Sequence, residues 1–268
     1  MAARKIRDIL SLNTVAGDLG IEIEMEGARP FPDGQSVEDA NWRCEADGSL
    51  RGYSMEYIVA EPIKAGQVGA QLQSLRDILT EAKVKPVYSF RAGVHVHINV
   101  QDMTPHQLGS FAALYYCLEA PLVKYCGERR EGNLFCLRNE DAEFALFTLE
   151  NALRSGDLSL LGTDMLRYSS MNLRAVSRYG SLEFRAMETQ PDLSKIEEWC
   201  AMLIRLRDAA KLTTDRSDIA YQLSFKGPEQ WATELLGPEL FKLVAYESIG
   251  KDIMRGLRMC QTLVYMEN

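Results

Sequence analysis

The segment Gly20-Ile21-Glu22-Ile23-Glu24-Met25-Glu26 alternates strictly between apolar and acidic residues, and Gly93-Val94-His95-Val96-His97-Ile98 does the same with imidazoles. A third run, Ser181-Leu182-Glu183-Phe184-Arg185, repeats the pattern with a carboxylate and a guanidinium. Successive side chains of a β-strand point to opposite faces, so each run predicts a strand that is apolar behind and charged in front. A strand that needs only to be wet on one side is served by Thr, Ser or Lys. Three strands carrying Glu, His and Arg on one face predict a sheet whose open face is an active site.

The remaining pattern supplies helices. Ser54 to Ala60 reads as a further strand ended by Pro62, and Gly66 to Lys83 carries Val68, Leu72, Leu75 and Leu79 at helical spacing. Thr104, Pro105 and Gln107 form a helix start with a capping box, and that helix is expected to reach about Glu119, with Pro121 ending or kinking it. Asn139 or Glu140 to Arg154 predicts a shorter helix. Ser194-Lys195-Ile196-Glu197 opens another by the same capping logic, with Ile196, Trp199, Leu203 and Leu206 on its buried side. Two more helices follow from Pro228, broken at Gly237-Pro238. The polar loop from Gly27 to Asn41 follows the acidic strand as a candidate lid. This order predicts an α+β fold, a mostly antiparallel or mixed sheet with helices on one face and the charged face left open.

Composition narrows the class. The 268 residues are 46% hydrophobic and 25% charged, ordinary for a globular chain with a sizeable core. A net charge of −8 argues against a polyanionic partner such as duplex DNA. The six cysteines (Cys44, Cys117, Cys126, Cys136, Cys200 and Cys260) form no C-x-x-C pair. With no signal-peptide pattern and no bilayer-length apolar stretch, they read as reduced thiols in a cytoplasmic protein.

The chemistry-bearing residues then have two readings each. Glu22, Glu24 and Glu26 repeat about every 7 Å along one strand face. Such a row is either a solvated edge or a site for one or two divalent metals, since like charges in a partly dehydrated cleft repel unless a cation intervenes. His95 and His97 are either structural or serve in ligation or catalysis, whereas His106 at a helix start is read as structural. An oxygen-rich donor set with one or two imidazoles suits Mg²⁺ or Mn²⁺ better than Zn²⁺. Arg91 precedes the histidine strand, and Arg167, Arg174, Arg178 and Arg185 gather before and within the third. Arginines beside carboxylates suit phosphate or carboxylate anchoring. No Walker-type or G-x-G-x-x-G loop occurs, so a nucleotide here depends on metals and arginines.

Taken together, G-I-E-I-E, D-G-S-L followed by M-E-Y-I-V, G-V-H-V-H-I, Y-S-S-M-N-L and S-L-E-F-R resemble the amidoligase family, relatives of glutamine synthetase and glutamate–cysteine ligase often encoded by phages and bacteria. The resemblance covers Gly20 to about Asp208, in a single domain over 1–268 with a C-terminal helical extension from about 213. It implies a curved, mostly antiparallel sheet with helices on its convex face and metal-bound ATP on its concave face. By resemblance, Glu22 and Glu24 match an E-x-E metal-ligand pair, His95 and Glu183 further metal ligands, and Glu56 and Asp47 ligands to the other metal. Arg185 matches a phosphate-side arginine, with Arg91 and Arg174 as catalytic helpers. His97, Asn172 and Arg174 are nucleotide-side candidates, and Glu26 and Glu61 lie near without a counterpart. The implied activity is ATP-dependent carboxylate–amine ligation through an acyl phosphate, with Mg²⁺ or Mn²⁺, on small-molecule or peptide acids and amines. A guanidino-kinase-like phosphotransferase, a metal-dependent hydrolase and an inactive ligase-like binding protein remain as alternatives. Nothing in the sequence sets the substrates or the oligomeric state.

Overall fold

The three alternating runs form the middle of one sheet in the computed structural model, which describes residues 3–27, 40–52, 54–81, 83, 89, 91–190 and 192–266. They are β1 (Leu19–Glu26), β4 (Gly93–Asn99) and β6 (Ser181–Glu188); β2 (Trp42–Glu45), β3 (Ser54–Val59) and β5 (Met171–Asn172) complete it. The strand order is β2-β3-β1-β4-β6-β5, and every neighbouring pair is antiparallel. The α+β expectation holds. β3 stops at Val59, and β2 was not foreseen, because four residues are too few to show alternation. The predicted lid lies largely in residues 28–39, outside the described residues.

The helices are α1 (Ile6–Leu10), α2 (Val68–Glu81), α3 (Pro105–Cys126), α4 (Glu143–Ser155), α5 (Arg174–Tyr179) and α6 (Ser194–Leu212). The C-terminal part adds α7 (Ser217–Lys226), α8 (Pro228–Leu236), α9 (Pro238–Val244), α10 (Ile249–Met259) and α11 (Gln261–Val264). Ile21, Ile23, Val94, Val96, Leu182 and Phe184 are fully buried on the sheet's apolar side. Phe184 packs on Phe111 and Tyr115 of α3 and Trp199 of α6, with ring centroids 5.6, 4.9 and 6.3 Å away. That stack fixes which face of β6 is covered, and so which face is left for Glu183 and Arg185.

Several boundaries differ from expectation for identifiable reasons. Thr104 and Gln107 cap α3 reciprocally, yet the helix runs through Pro121 to Cys126. Pro121 is itself buried, as are all residues from Leu108 to Glu119, and this packing outweighs the one backbone hydrogen bond a proline forfeits. At α6 the cap is not a Ser194 box. The Asp192 carboxylate accepts the Ser194 N–H at 2.9 Å instead. A short 3-10 turn at Asn139–Asp141 delays α4 to Glu143. Four helices follow Pro228 rather than two, because further breaks fall between Val244 and Ile249 and at Cys260. α10 crosses α3 closely at Gly256, where a Cβ would lie 2.3 Å from the Tyr116 carbonyl oxygen. No helix among the described residues is long and apolar enough to cross a membrane, and none of the six cysteines is in a disulfide.

Candidate functional site

Strand register lays the charged residues out in three cross-strand rows. One row runs Glu45, Glu56, Glu24, with Gly93 and Glu188 paired beyond it. The next runs Arg43, Ile58, Glu22, His95. The third runs Gly20, His97, Glu183, Asn172. Residues opposite one another in antiparallel strands lie about 4.5–5.5 Å apart, so each row is a line of neighbours. A bulge between β4 and β6 sets the phase: Val96 faces Phe184 but Val94 faces Met187, leaving one extra residue on β6. The shift puts Glu188 on the same face as Glu183 and Arg185 despite their odd spacing.

His95 is the centre. Its Nδ1 lies 3.2 Å from Glu22 Oε2 and 3.7 Å from Glu183 Oε1, while its Nε2 lies 3.7 Å from Glu24 Oε1. Two three-residue groups share it, Glu22–His95–Glu183 and Glu24–Glu56–His95, and within each the candidate ligand atoms fall within 4.8 Å of one another. His97 Nε2 is 3.3 Å from Glu22 Oε1 and its Nδ1 is 3.1 Å from Ser181 Oγ. Asn172 and Arg185 both donate to the Glu183 carboxylate, one to each oxygen. Gly93 N–H donates to Glu24 Oε2 at 2.7 Å.

The electrostatics divide the carboxylates into two kinds. Burial raises the Glu22 pKa, but the bonds to His95 and His97 outweigh it and hold the carboxyl well below the usual range. Glu183 is likewise held low, Arg185, His97 and His95 overcoming its burial. Burial raises Glu24. Burial together with the charges of Glu22, Glu24 and Asp47 pushes Glu56 up to about 8. Asp47 is lowered, since bonds from the Ser49 backbone and hydroxyl exceed its partial burial. Glu183 and Glu22 raise His97 against its own burial. The part of the Glu56 displacement that comes from its carboxylate neighbours is the repulsion that a divalent cation relieves. The donor set, carboxylate oxygens and one shared imidazole, fits a hard cation such as Mg²⁺ or Mn²⁺.

The expected residues largely converge. Glu22, Glu24, Asp47, Glu56, His95, Arg91 and Arg185 line one pocket of about 200 Å³. Arg91 donates to the Ser49 carbonyl at 2.9 Å and lies over the Phe135 ring. Asn172, Arg174, His97 and Glu183 line a second pocket of similar volume that shares Glu22 and Arg185 with the first. Arg174 is partly committed, paired with Asp164 at 2.6 Å. Two candidates are not brought in. Glu26 accepts the Arg51 N–H past the cluster, and Glu61 is exposed beyond β3, its backbone tied to Asn41. The sequence reading missed Arg130, Phe135 and Tyr168, which wall the first pocket from irregular segments that carry no periodicity. A third and larger cavity, about 670 Å³, adjoins the cluster at Glu22 and His97 and is floored by Gly20.

Fold and site define an α+β protein with an acidic, imidazole-centred sheet face walled by arginines. Residues 31–207 match the family described as putative amidoligase enzyme, and the chain belongs to that family, whose description is that of a ligase. The match begins after β1, so the E-x-E run lies outside it, although β1 is hydrogen-bonded between β3 and β4, both inside. No curated protein matches the chain.

Proposed function

We propose that the protein is an ATP-dependent carboxylate–amine ligase that works through an acyl phosphate. The observation that carries this reading is the sharing of His95 between two carboxylate groups on one sheet face, beside Arg185. Glu22, His95 and Glu183 would hold one divalent metal and Glu24 and Glu56 the other, with Asp47 alongside. Bound there, the metals supply charge neutralisation for a polyphosphate.

The chain's own residues do the rest. Asn172 fixes one Glu183 oxygen and Arg185 the other, so the carboxylate cannot rotate away from His95. Arg185 and Arg91 present guanidinium groups to the pocket in which charge develops on the transferring phosphoryl group. The acid's carboxylate oxygen attacks the terminal phosphorus and ADP leaves. The amine nitrogen then attacks the acyl carbon, phosphate leaves, and one proton is released with the amide. The 670 Å³ cavity, within the size range of small-molecule sites, takes the acid and the amine.

Calorimetric titration of ATP with Mg²⁺, with Mn²⁺ and with chelator tests the reading. Metal-dependent binding, weakened at least about 100-fold in Glu22→Gln, is expected. Product analysis with acid and amine panels should then find ADP and amide in equal amounts. ADP with a phosphorylated product and no amide would assign a kinase instead, and turnover without nucleotide a hydrolase.

A further inference from the structure

We propose that Arg130 is an anion-binding residue of this site, contributing two unpaired guanidinium nitrogens to the phosphoryl oxyanion held above the acidic floor. The inference rests on the ligase reading for the identity of the anion, but not for the existence of the pocket.

Arg130 is 1% exposed, among the largest fully buried side chains of the protein. Its Nη2 donates to the Arg185 carbonyl at 2.6 Å, while Nε and Nη1 have no hydrogen-bond partner. The neighbouring Arg129, not Arg130, takes the Glu188 carboxylate. Beside the guanidinium, the side chain that could serve it is the Cys136 sulfur. Burial raises the Cys136 pKa more than the charge and contact of Arg130 lower it, so it offers a weak thiol acceptor and no countercharge. A guanidinium does not shed its proton to escape burial. An unpaired buried charge is among the costliest features a fold can hold, and it persists where a partner arrives from outside.

The side chain is placed for that partner. α3 ends at Gly127, and a single 3-10 turn, Glu128–Arg130, turns the chain back over the sheet. The guanidinium then lies over Gly93, where a Cβ would sit 2.9 Å from Nη2. Gly93 therefore serves both sides of the pocket: its missing side chain admits Arg130 and its N–H holds Glu24. Arg91, Arg167 and Arg185 line the same 200 Å³ space as the carboxylates and His95. Four guanidinium groups around one pocket, Arg185 among them already paired with Glu183, suit a group with several oxyanions, the phosphoryl group, better than a lone carboxylate. A purely structural arginine would be expected to spend its donors on the chain, and this one leaves Nε and Nη1 unspent.

The test uses the full chain, inorganic pyrophosphate with Mg²⁺, and acetate as the carboxylate control. Wild type, Arg130→Met and Arg130→Lys are compared by calorimetry and by ligand-free thermal unfolding. The expected result is a ligand-free Tm in Arg130→Met at or above that of wild type. Its pyrophosphate affinity should fall about 10- to 100-fold, the loss of charge-assisted hydrogen bonds, with partial recovery in Arg130→Lys. Wild-type pyrophosphate affinity in Arg130→Met, or a lowered Tm with affinity intact, would make Arg130 a tether for β6 and overturn the proposal. Acetate binding as tight as pyrophosphate would overturn the phosphoryl assignment. No pyrophosphate binding by wild type would remove the proposal altogether. Arg130-dependent pyrophosphate binding without ATP-dependent amide formation would keep the inference and remove the ligase. Amide formation at the wild-type rate in Arg130→Met would do the reverse.

Discussion

The site has a floor and a wall, and they are built by different physics. The floor is three strands joined by a backbone ladder with one interruption, the bulge on β6 opposite His95, so Glu22, Glu24, His95 and Glu183 take their spacing from strand register and that bulge. The wall comes from the segments after α3 and around α5, where each contact is individual: Arg130 to the Arg185 carbonyl, Arg91 over Phe135, Arg174 to Asp164. The floor concentrates negative charge and the wall positive charge across a gap that the floor does not fill. A rigid, metal-type surface opposed by individually anchored guanidiniums divides the work. On the proposed ligase reading, one side would fix position and the other would adjust to an anion.

The largest expected effect strikes the floor. Glu183→Ala removes the acceptor of both Asn172 and Arg185 and one arm of the His95 group. Leaving the Arg185 charge buried and unpaired is expected to cost about 3–5 kcal/mol, measured by denaturant unfolding. Metal-dependent ATP binding should weaken by more than about 100-fold in calorimetry. Glu183→Gln retains an acceptor for one partner and serves as the folded control for the binding arm. If both variants bind ATP within a few-fold of wild type, the floor is not where metal and nucleotide meet, and the division into floor and wall loses its chemical meaning.

The wall has its own anchor, and it is titratable. Glu119 on α3 is buried; its carboxyl accepts from the Asn139 N–H at 3.0 Å, from Asn139 Nδ2 at 2.9 Å and from the Ser170 hydroxyl. Ser170 in turn accepts the Arg185 N–H at its carbonyl, at 2.8 Å. Burial pushes the Glu119 pKa up to about 7, against those bonds. Because the folded chain holds this proton more tightly than the unfolded chain, the contribution is full below about pH 4.5. It is lost as pH rises through about 7. Its size is of order 3 kcal/mol, from the displacement between those two values. Glu119→Gln keeps an acceptor oxygen and does not titrate, so its unfolding free energy should lack this fall between pH 5 and 8. A wild type and variant with parallel pH profiles would show that the wall is not held by this proton.

Legibility followed the same division. Period-two alternation identified the floor residues and their common face, because a strand's side-chain direction is set by local geometry. The bulge in β6 was invisible, since it arises from the pairing with β4 and not from the order Leu182 to Glu188. Arg130 lies in a charge run, Glu128-Arg129-Arg130-Glu131, that has no periodicity to assign it a face. Only the turn after Gly127 sends it inward while Arg129 stays outside. Pro121 does not end α3, for the related reason that local propensity yields to burial on every side of a helix. Arg174 was foreseen at the site, but its pairing with Asp164 lies between residues that no periodicity connects.

The smallest expected effect falls on the gap in the floor itself. Gly20 stands in the row of His97, Glu183 and Asn172, each of which carries a candidate site side chain. A Cβ added there meets only the His97 Cβ, at 3.9 Å, so the row has room that the sequence leaves empty. That room is the bottom of the 670 Å³ cavity assigned to the acid and amine. Gly20→Leu therefore places its Cβ without a backbone clash and takes up part of the cavity, and the sheet is expected to form. In assays of amide formation, KM for the larger substrate should rise about tenfold, the order expected of a few misplaced methylene groups, while ATP affinity stays within about twofold. A unit effect on both would mean that the mutation disturbed Glu22 and His97 rather than the substrate. An unchanged KM would place the acid and amine elsewhere, most simply between the arginine wall and the carboxylates. Floor and wall would then hold all reactants between them and leave the large cavity without a catalytic role.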